Sequence, residues 1–292
     1  MAAYSGKNYE YLFNTPSGNI NDNAFEALRH KDVFRYRVVT ITSGSVVEVE
    51  AFPLWRDYDN SGLRAAKLAD TREAQKEVNR RNISKRTARR MDTNFTEEDL
   101  HVTLTYGSGA PLPDEKQARE HMRKFIRKAR DYRKKHGLTS LKYIYTIEFS
   151  NGDGRRTRVH HHVVMSGMDR YAVKSMWPHG RVTVEELQPE NGTLAGLAWY
   201  ITKQPRQTRQ TKQIAFSRNL KPHTSRTESN HKLSRKQAER LATDVKAAAH
   251  VIFGKSFPDC VLDQCTVRSS EFVAGAYIYA KMHKDRGAVK HD

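Results

Sequence analysis

Arg158-Val159-His160-His161-His162-Val163-Val164-Met165 is the stretch on which the reading of this chain turns. Apolar and β-branched residues run through it. Turn formers stand on either side, Asn151-Gly152-Asp153-Gly154 before it and Ser166-Gly167 after it, so it reads as a β-strand. Side chains two apart on a strand share a face, which sends His160 and His162 one way and His161 the other. Two neutral imidazoles on one rigid face make half of a site for a divalent transition metal. Leu141-Lys142-Tyr143-Ile144-Tyr145-Thr146-Ile147-Glu148-Phe149 reads as the antiparallel partner strand, and Glu148 interrupts apolar sequence where a carboxylate needs a partner. A two-histidine, one-carboxylate site with open coordination positions is the economical reading. The plain alternative is a histidine pair at the surface or satisfied in a core.

Outward from this hairpin, Leu100 to Gly107 reads as a strand with Val102 and Leu104 on one face and Thr103 and Thr105 on the other. Pro111 and Pro113 open a helix that runs to His136-Gly137, with Met122, Phe125, Ile126, Ala129 and Tyr132 as its buried stripe. A short helix over Met168 to Trp177, a strand over Gly180 to Leu187 and a helix from Leu194 that Pro205 ends complete the series. The order β-α-β-β-α-β, then α, gives an α+β class with a split βαβ, ferredoxin-like (RRM-like) core. Its central antiparallel sheet carries helices on one face and leaves the other free for ligand.

Around this core, residues 1 to about 30 read as a poorly ordered arm, Phe34 to Phe52 as a hairpin about Ser43-Gly44-Ser45, and residues 63–91 as a strongly basic helix. Residues 204–236 are polar and basic and read as a flexible, phosphate-friendly segment. One helix is expected over 234–253. Short strand-like pieces follow at Cys260-Val261-Leu262 and Thr266-Val267, then a final helix through Phe272, Tyr277 and Lys281. The division is thus 1–92 (arm, hairpin and basic helix), 93–225 (the domain of the histidine strand) and 226–292 (a C-terminal helical extension of unknown role).

The chain of 292 residues carries a formal net charge of +18. Such an excess selects a polyanionic partner, nucleic acid ahead of an anionic membrane surface. No apolar run is long enough to span a bilayer and the N-terminus lacks a signal-peptide core, which sets the expectation of a cytoplasmic protein without membrane attachment. Cys260 and Cys265 are the only two cysteines and make no disulfide framework.

Tyr200 and Lys203 stand three apart on the last core helix and so share a face. A tyrosine hydroxyl attacks phosphorus only once its proton is removed and the phosphate charge is offset, its unperturbed pKa being about 10. A cation held by Glu148, His160 and His162 would serve as Lewis acid on a scissile phosphate, with Lys203 offsetting negative charge. Attack would leave a 5′-phosphotyrosine and a free 3′-hydroxyl.

The strand Val102-Thr103-Leu104-Thr105-Tyr106, the run His160-His161-His162 and Tyr200-Ile201-Thr202-Lys203 resemble, in order, the three motifs of the HUH endonuclease superfamily. More narrowly they resemble rolling-circle replication initiators of bacterial plasmids and phages. Thr93-Asn94-Phe95-Thr96, Trp177-Pro178-His179-Gly180 and Ser217-Arg218-Asn219-Leu220-Lys221-Pro222 add to that similarity, which covers roughly residues 75–225. The resemblance implies His160 and His162 as metal ligands with Glu148 as the third, Mg²⁺ or Mn²⁺ as cofactor, Tyr200 as nucleophile and Lys203 as its helper. It implies single-stranded DNA at a replication origin as substrate, host helicase and polymerase as partners, and a bacterial cell as the setting. Thr103, Thr105, Arg158, Arg206, Arg209, Lys212, Arg218 and Lys221 are the expected DNA contacts.

His161 departs from the pattern, since the middle place of the motif is normally a bulky hydrophobic. Gly196 and Gln204, four before and four after Tyr200, leave one tyrosine on this helix. The stretch Ala249 to Ser256 lacks the first glycine of a phosphate loop and ends a helix, so no ATPase is expected in it. The rival readings are a single-tyrosine transposase or relaxase, a non-catalytic single-strand nucleic-acid-binding module, and a structural metal protein.

Overall fold

The computed structural model describes residues 32–55, 72–107, 111–150, 156–202, 214–270 and 273–285. In chain order the elements are β1 (Val33–Ser43), β2 (Val46–Trp55), α1 (Arg72–Asn94), β3 (Leu100–Thr105), α2 (Glu115–Lys135), β4 (Tyr143–Ser150), β5 (Arg156–Met165) and α3 (Arg170–Ser175). There follow β6 (Val182–Glu186), α4 (Ala195–Thr202), β7 (Ile214–Phe216), β8 (Ser225–Ser229), α5 (Arg235–Thr243), α6 (Val245–Ser256), β9 (Cys260–Ser270) and β10 (Val273–Lys284). Among the described residues these make an α+β protein of two five-stranded antiparallel sheets and six helices. The chain divides into two units, residues 83–222 and residues 1–82 with 223–292.

The 83–222 unit is built on the sheet β6-β3-β5-β4-β7. Strand register sets Leu104, His161 and Ile147 side by side, and likewise Thr103, His162 and Thr146, then Thr105, His160 and Glu148. Alternation makes one face apolar and the other polar. On the apolar face Val102, Leu104, Val163 and Met165 pack against Met122, Phe125, Ile126 and Ala129 of α2 and Val173 of α3. Each such large side chain contributes about 1.5–3 kcal/mol by leaving water. α2 starts at a capping box in which the Asp114 carboxylate accepts from Gln117 N at 2.7 Å, and it stops at Gly137, whose φ is +66°.

The helices do not keep to one face, contrary to the arrangement expected from the sequence. Met91 and Phe95, at the end of α1 and just beyond it, lie on the histidine face with Leu194, Ala198 and Ile201 of the α4 region, against Ile144 and Val164. These two helical stripes are apolar and need a partner, and the sheet rows below His162 supply one. Only the rows carrying Thr103, Thr105, His160, His162 and Glu148 are left for a ligand.

In the other unit the sheet order is β8-β1-β2-β10-β9. The N-terminal hairpin turns at Gly44, where φ is +60°, and its second strand pairs with β10. Leu241 of α5 and Ile252 and Phe253 of α6 cover Val38, Val49, Ile278 and Met282. Three expectations are corrected here. The final helix through Tyr277 and Lys281 is a strand, because Ala276, Ile278, Ala280 and Met282 alternate into the core. The single helix over 234–253 is two helices, broken at Asp244, whose backbone is extended and whose side chain accepts from Ala247 N at 3.1 Å to cap the second. The segment 204–236 supplies β7 and β8 within its described part. The arm over residues 1–31, the start of the basic helix at 63–71 and the turn at 151–155 lie outside the described residues. Among the described residues no helix is long and apolar enough to cross a membrane.

Candidate active site

α4 carries Tyr200, and its placement begins with a turn. Asn191 and Gly192 take φ of +49° and +73°. The turn delivers Thr193 and Leu194 to Asp92 of α1, which accepts from Leu194 N at 2.6 Å and from Thr193 Oγ1 at 3.0 Å. Thr193 Oγ1 in turn accepts from Ala195 N at 3.2 Å. Free N–H groups at a helix start are satisfied in this way, and the helix is thereby tied to α1. Ala198, Ile201 and Thr202 then face inward, leaving Tyr200 43% exposed.

The Tyr200 ring meets the His162 ring edge-on, with centroids 5.2 Å apart and planes at 79°. His162 Nε2 lies 3.4 Å from Glu148 Oε2, and His162 Nδ1 lies 3.3 Å from Thr103 Oγ1. His160 stands directly across from Glu148 in the strand register, on the same face. Two of the three expected metal ligands thus meet. No group of three or more His, Cys, Asp or Glu side chains converges closely enough to hold a metal among the described residues.

Of the other expected contacts, Thr105 Oγ1 donates to Arg181 O at 3.2 Å. Arg218 and Lys221 are exposed beyond β7. Arg158 lies on β5, but its side chain is outside the described set, as are Lys203, Arg206, Arg209 and Lys212 altogether.

His101 belongs to this site and was missed from the sequence. Its ring stacks on His162 with centroids 5.8 Å apart, and its Nδ1 lies 3.7 Å from Glu185 Oε2. Burial first, and then the neighbouring His162, hold its pKa below the ordinary imidazole value, with Glu185 opposing. The signal was available, since His101 stands two before Thr103 and so shares its face. A cavity of about 380 Å³ adjoins it, lined also by Glu185, Thr193, Gly196 and Leu197.

His161 takes the opposite side of the sheet. It is fully buried, with Nε2 3.1 Å from Tyr106 Oη, and that hydroxyl is 3.0 Å from His121 Nδ1. Burial, reinforced by the surrounding histidines, pushes its pKa down to about 3, so it sits in the core as a neutral ring. It thus fills the place of a bulky hydrophobic at the cost of an Nδ1 without a hydrogen-bond partner.

The three flanking stretches are joined to the core. Asn94 Oδ1 accepts from Lys221 N at 3.0 Å and Asn94 Nδ2 donates to Lys221 O at 2.7 Å. Trp177 Nε1 donates to Thr105 O at 2.9 Å, and Gly107 N donates to His179 O at 2.9 Å. Gly180 is required there, because a Cβ would collide with the backbone of Thr105, Tyr106 and Gly107.

Residues 99–205 match a family model for replication-associated proteins, the family of the ORF2 and gene-2 proteins, and within that segment fall β3, His160, His162, Glu148 and Tyr200. Comparison with curated proteins and with solved structures gave no match.

Proposed function

We propose that residues 83–222 nick and rejoin single-stranded DNA at a replication origin, with Tyr200 as nucleophile, and so start rolling-circle replication. One observation carries the reading: a phenol set edge-on to His162 while that same imidazole faces Glu148, on the uncovered rows of one sheet face. The family model over 99–205 supports a role in replication initiation. The strand order β6-β3-β5-β4, with α2 and α3 in the two crossovers, supports a split βαβ, ferredoxin-like core.

His160, His162 and Glu148 would hold Mn²⁺ or Mg²⁺. A mixed imidazole and carboxylate set suits such ions, and the Thr103 contact at Nδ1 leaves Nε2 of His162 on the Glu148 side. When bound, the ion supplies Lewis acidity at the scissile phosphodiester. Tyr200 Oη gives up its proton and attacks phosphorus in line with the departing 3′ oxygen. The P–O3′ bond breaks as the P–Oη bond forms, and a proton completes the free 3′-hydroxyl. The phosphotyrosine product keeps the free energy of the phosphodiester, so the reverse attack by a 3′-hydroxyl rejoins the strand without ATP. Lys203, one residue past the described end of α4, is assigned the offset of negative charge during attack. Unwinding and synthesis fall to a host helicase and polymerase.

The test is a covalent adduct. Labelled circular single-stranded DNA bearing the origin is incubated with the protein and Mn²⁺ or Mg²⁺, with and without EDTA. The expected result is a protein–DNA band that EDTA suppresses and Tyr200→Phe abolishes. A metal-stimulated band that persists in Tyr200→Phe removes Tyr200 from the role.

A further inference from the structure

We infer that Arg86 and Arg90 of α1, together with Phe216 of β7, form a binding site for a backbone phosphate of DNA, separate from the reacting centre. The inference rests on DNA being the substrate.

The Arg90 guanidinium carbon lies 4.7 Å over the centroid of the Phe216 ring. An arginine laid flat on an aromatic face keeps its plane fixed and its edge donors available, which suits recognition of a tetrahedral oxyanion. Arg90 Nη1 is sheltered from solvent and has no hydrogen-bond partner. A half-desolvated cation with an unmatched donor is costly unless an anion arrives to meet it. Its charged neighbour makes matters worse, since Arg86 sits one helical turn away. Burial first and Arg86 second hold the Arg90 guanidinium below its ordinary value, with no carboxylate acting against them among the described residues.

The surroundings have the same sign. The Asn94 clasp on Lys221 brings that residue beside the end of α1, and Lys142 Nζ reaches Asn94 O at 3.5 Å. Arg218 is exposed two residues after Phe216. The one carboxylate on this turn of α1, Asp92, is engaged with Thr193 and Leu194. Structural arginines in this unit end differently: Arg133 is buried and donates to Thr139 O at 2.7 Å and to Gly167 O. Arg90 has the setting of a ligand-binding arginine instead.

The experiment is fluorescence anisotropy with the full chain in EDTA, so that no strand is cut. The probes are an oligonucleotide of arbitrary sequence, single-stranded in one arm and duplex in the other, titrated at several salt concentrations. Arg90→Gln is expected to weaken binding roughly five- to tenfold near about 0.1 M salt. It should flatten the log–log salt dependence by about 0.7 on single strands or about 0.9 on duplex, as loss of one phosphate contact requires. The arm that changes more identifies which form of DNA the site holds. Phe216→Leu should weaken binding at unchanged salt slope, because the charge remains and only its fixed orientation is lost. The unfolding midpoint of Arg90→Gln should equal or exceed that of the parent. Unchanged affinity and slope in both arms overturn the site, and so does an affinity loss that comes with a lower midpoint and an unchanged slope. Adduct formation at Tyr200 is a separate readout, so failure here leaves the nicking reading standing.

Discussion

Acid should unfold the 83–222 unit, and His161 should account for a large part of the loss. The ring is neutral in the core, with its pKa pushed from 6.5 to about 3, whereas in the unfolded chain it titrates at the ordinary value. Below pH 6.5 the unfolded state therefore binds a proton that the folded state refuses. The stabilisation is fully present above pH 6.5 and is lost as pH falls toward about 3. Between pH 7 and pH 4.5 this one group removes about 2.5 kcal/mol, at 1.36 kcal/mol per unit of separation. A typical domain holds only about 5–15 kcal/mol, so the effect is large. His121 and His179, stacked with centroids 3.8 Å apart and both held below their ordinary values first by burial, push the same way. The assay is urea unfolding in EDTA at pH 7 and pH 4.5, followed by tryptophan fluorescence in a Trp55→Phe background, which leaves Trp177 and Trp199 as reporters. His161→Leu fills the same place with an apolar side chain and should retain about 2.5 kcal/mol more of its neutral-pH stability at pH 4.5 than the parent. Equal acid losses in the two proteins would refute the reasoning.

Two further outcomes follow from the way α4 and the Trp177 turn are held. Asp92→Ala frees Leu194 N and Thr193 Oγ1 and should cost about 1–2 kcal/mol in unfolding free energy. It should also slow adduct formation at least about tenfold with DNA affinity unchanged, and Asp92→Asn, which keeps one acceptor, should restore part of the rate. Gly180→Ala drives a methyl into the backbone at the end of β3 and should lower the unfolding free energy by more than about 2 kcal/mol, read in the same urea assay.

The histidine strand was legible because a period of two allows only one division of its side chains: once β5 is a strand, His160 and His162 must part from His161. The core of α2 was legible for the same kind of reason, its stripe recurring at helical spacing. The covering of the lower histidine face by α1 and α4 was not. An apolar stripe on a helix announces that it will be buried but not against which side of which sheet. Asp92 could not be found at all, since its bonds to Thr193 and Leu194 join residues about a hundred positions apart and leave no local pattern. β10 was misread because Ala276, Gly275 and Ala280 dilute its alternation and Tyr277 and Lys281 stand at helical spacing. His101 was a plain oversight, since the alternation that placed Thr103 also placed it.

The sheet outside residues 83–222 takes two strands from before that span and three from after it, with β10 wedged between β2 and β9. A ribosome therefore releases every residue of the tyrosine-bearing unit before the strand that completes its companion has been made. The first unit is ready to condense while the hairpin of β1 and β2 still waits for its neighbours. A message cut short shortly after codon 222 would yield chains equipped with the reacting groups yet lacking three of the companion sheet's five strands.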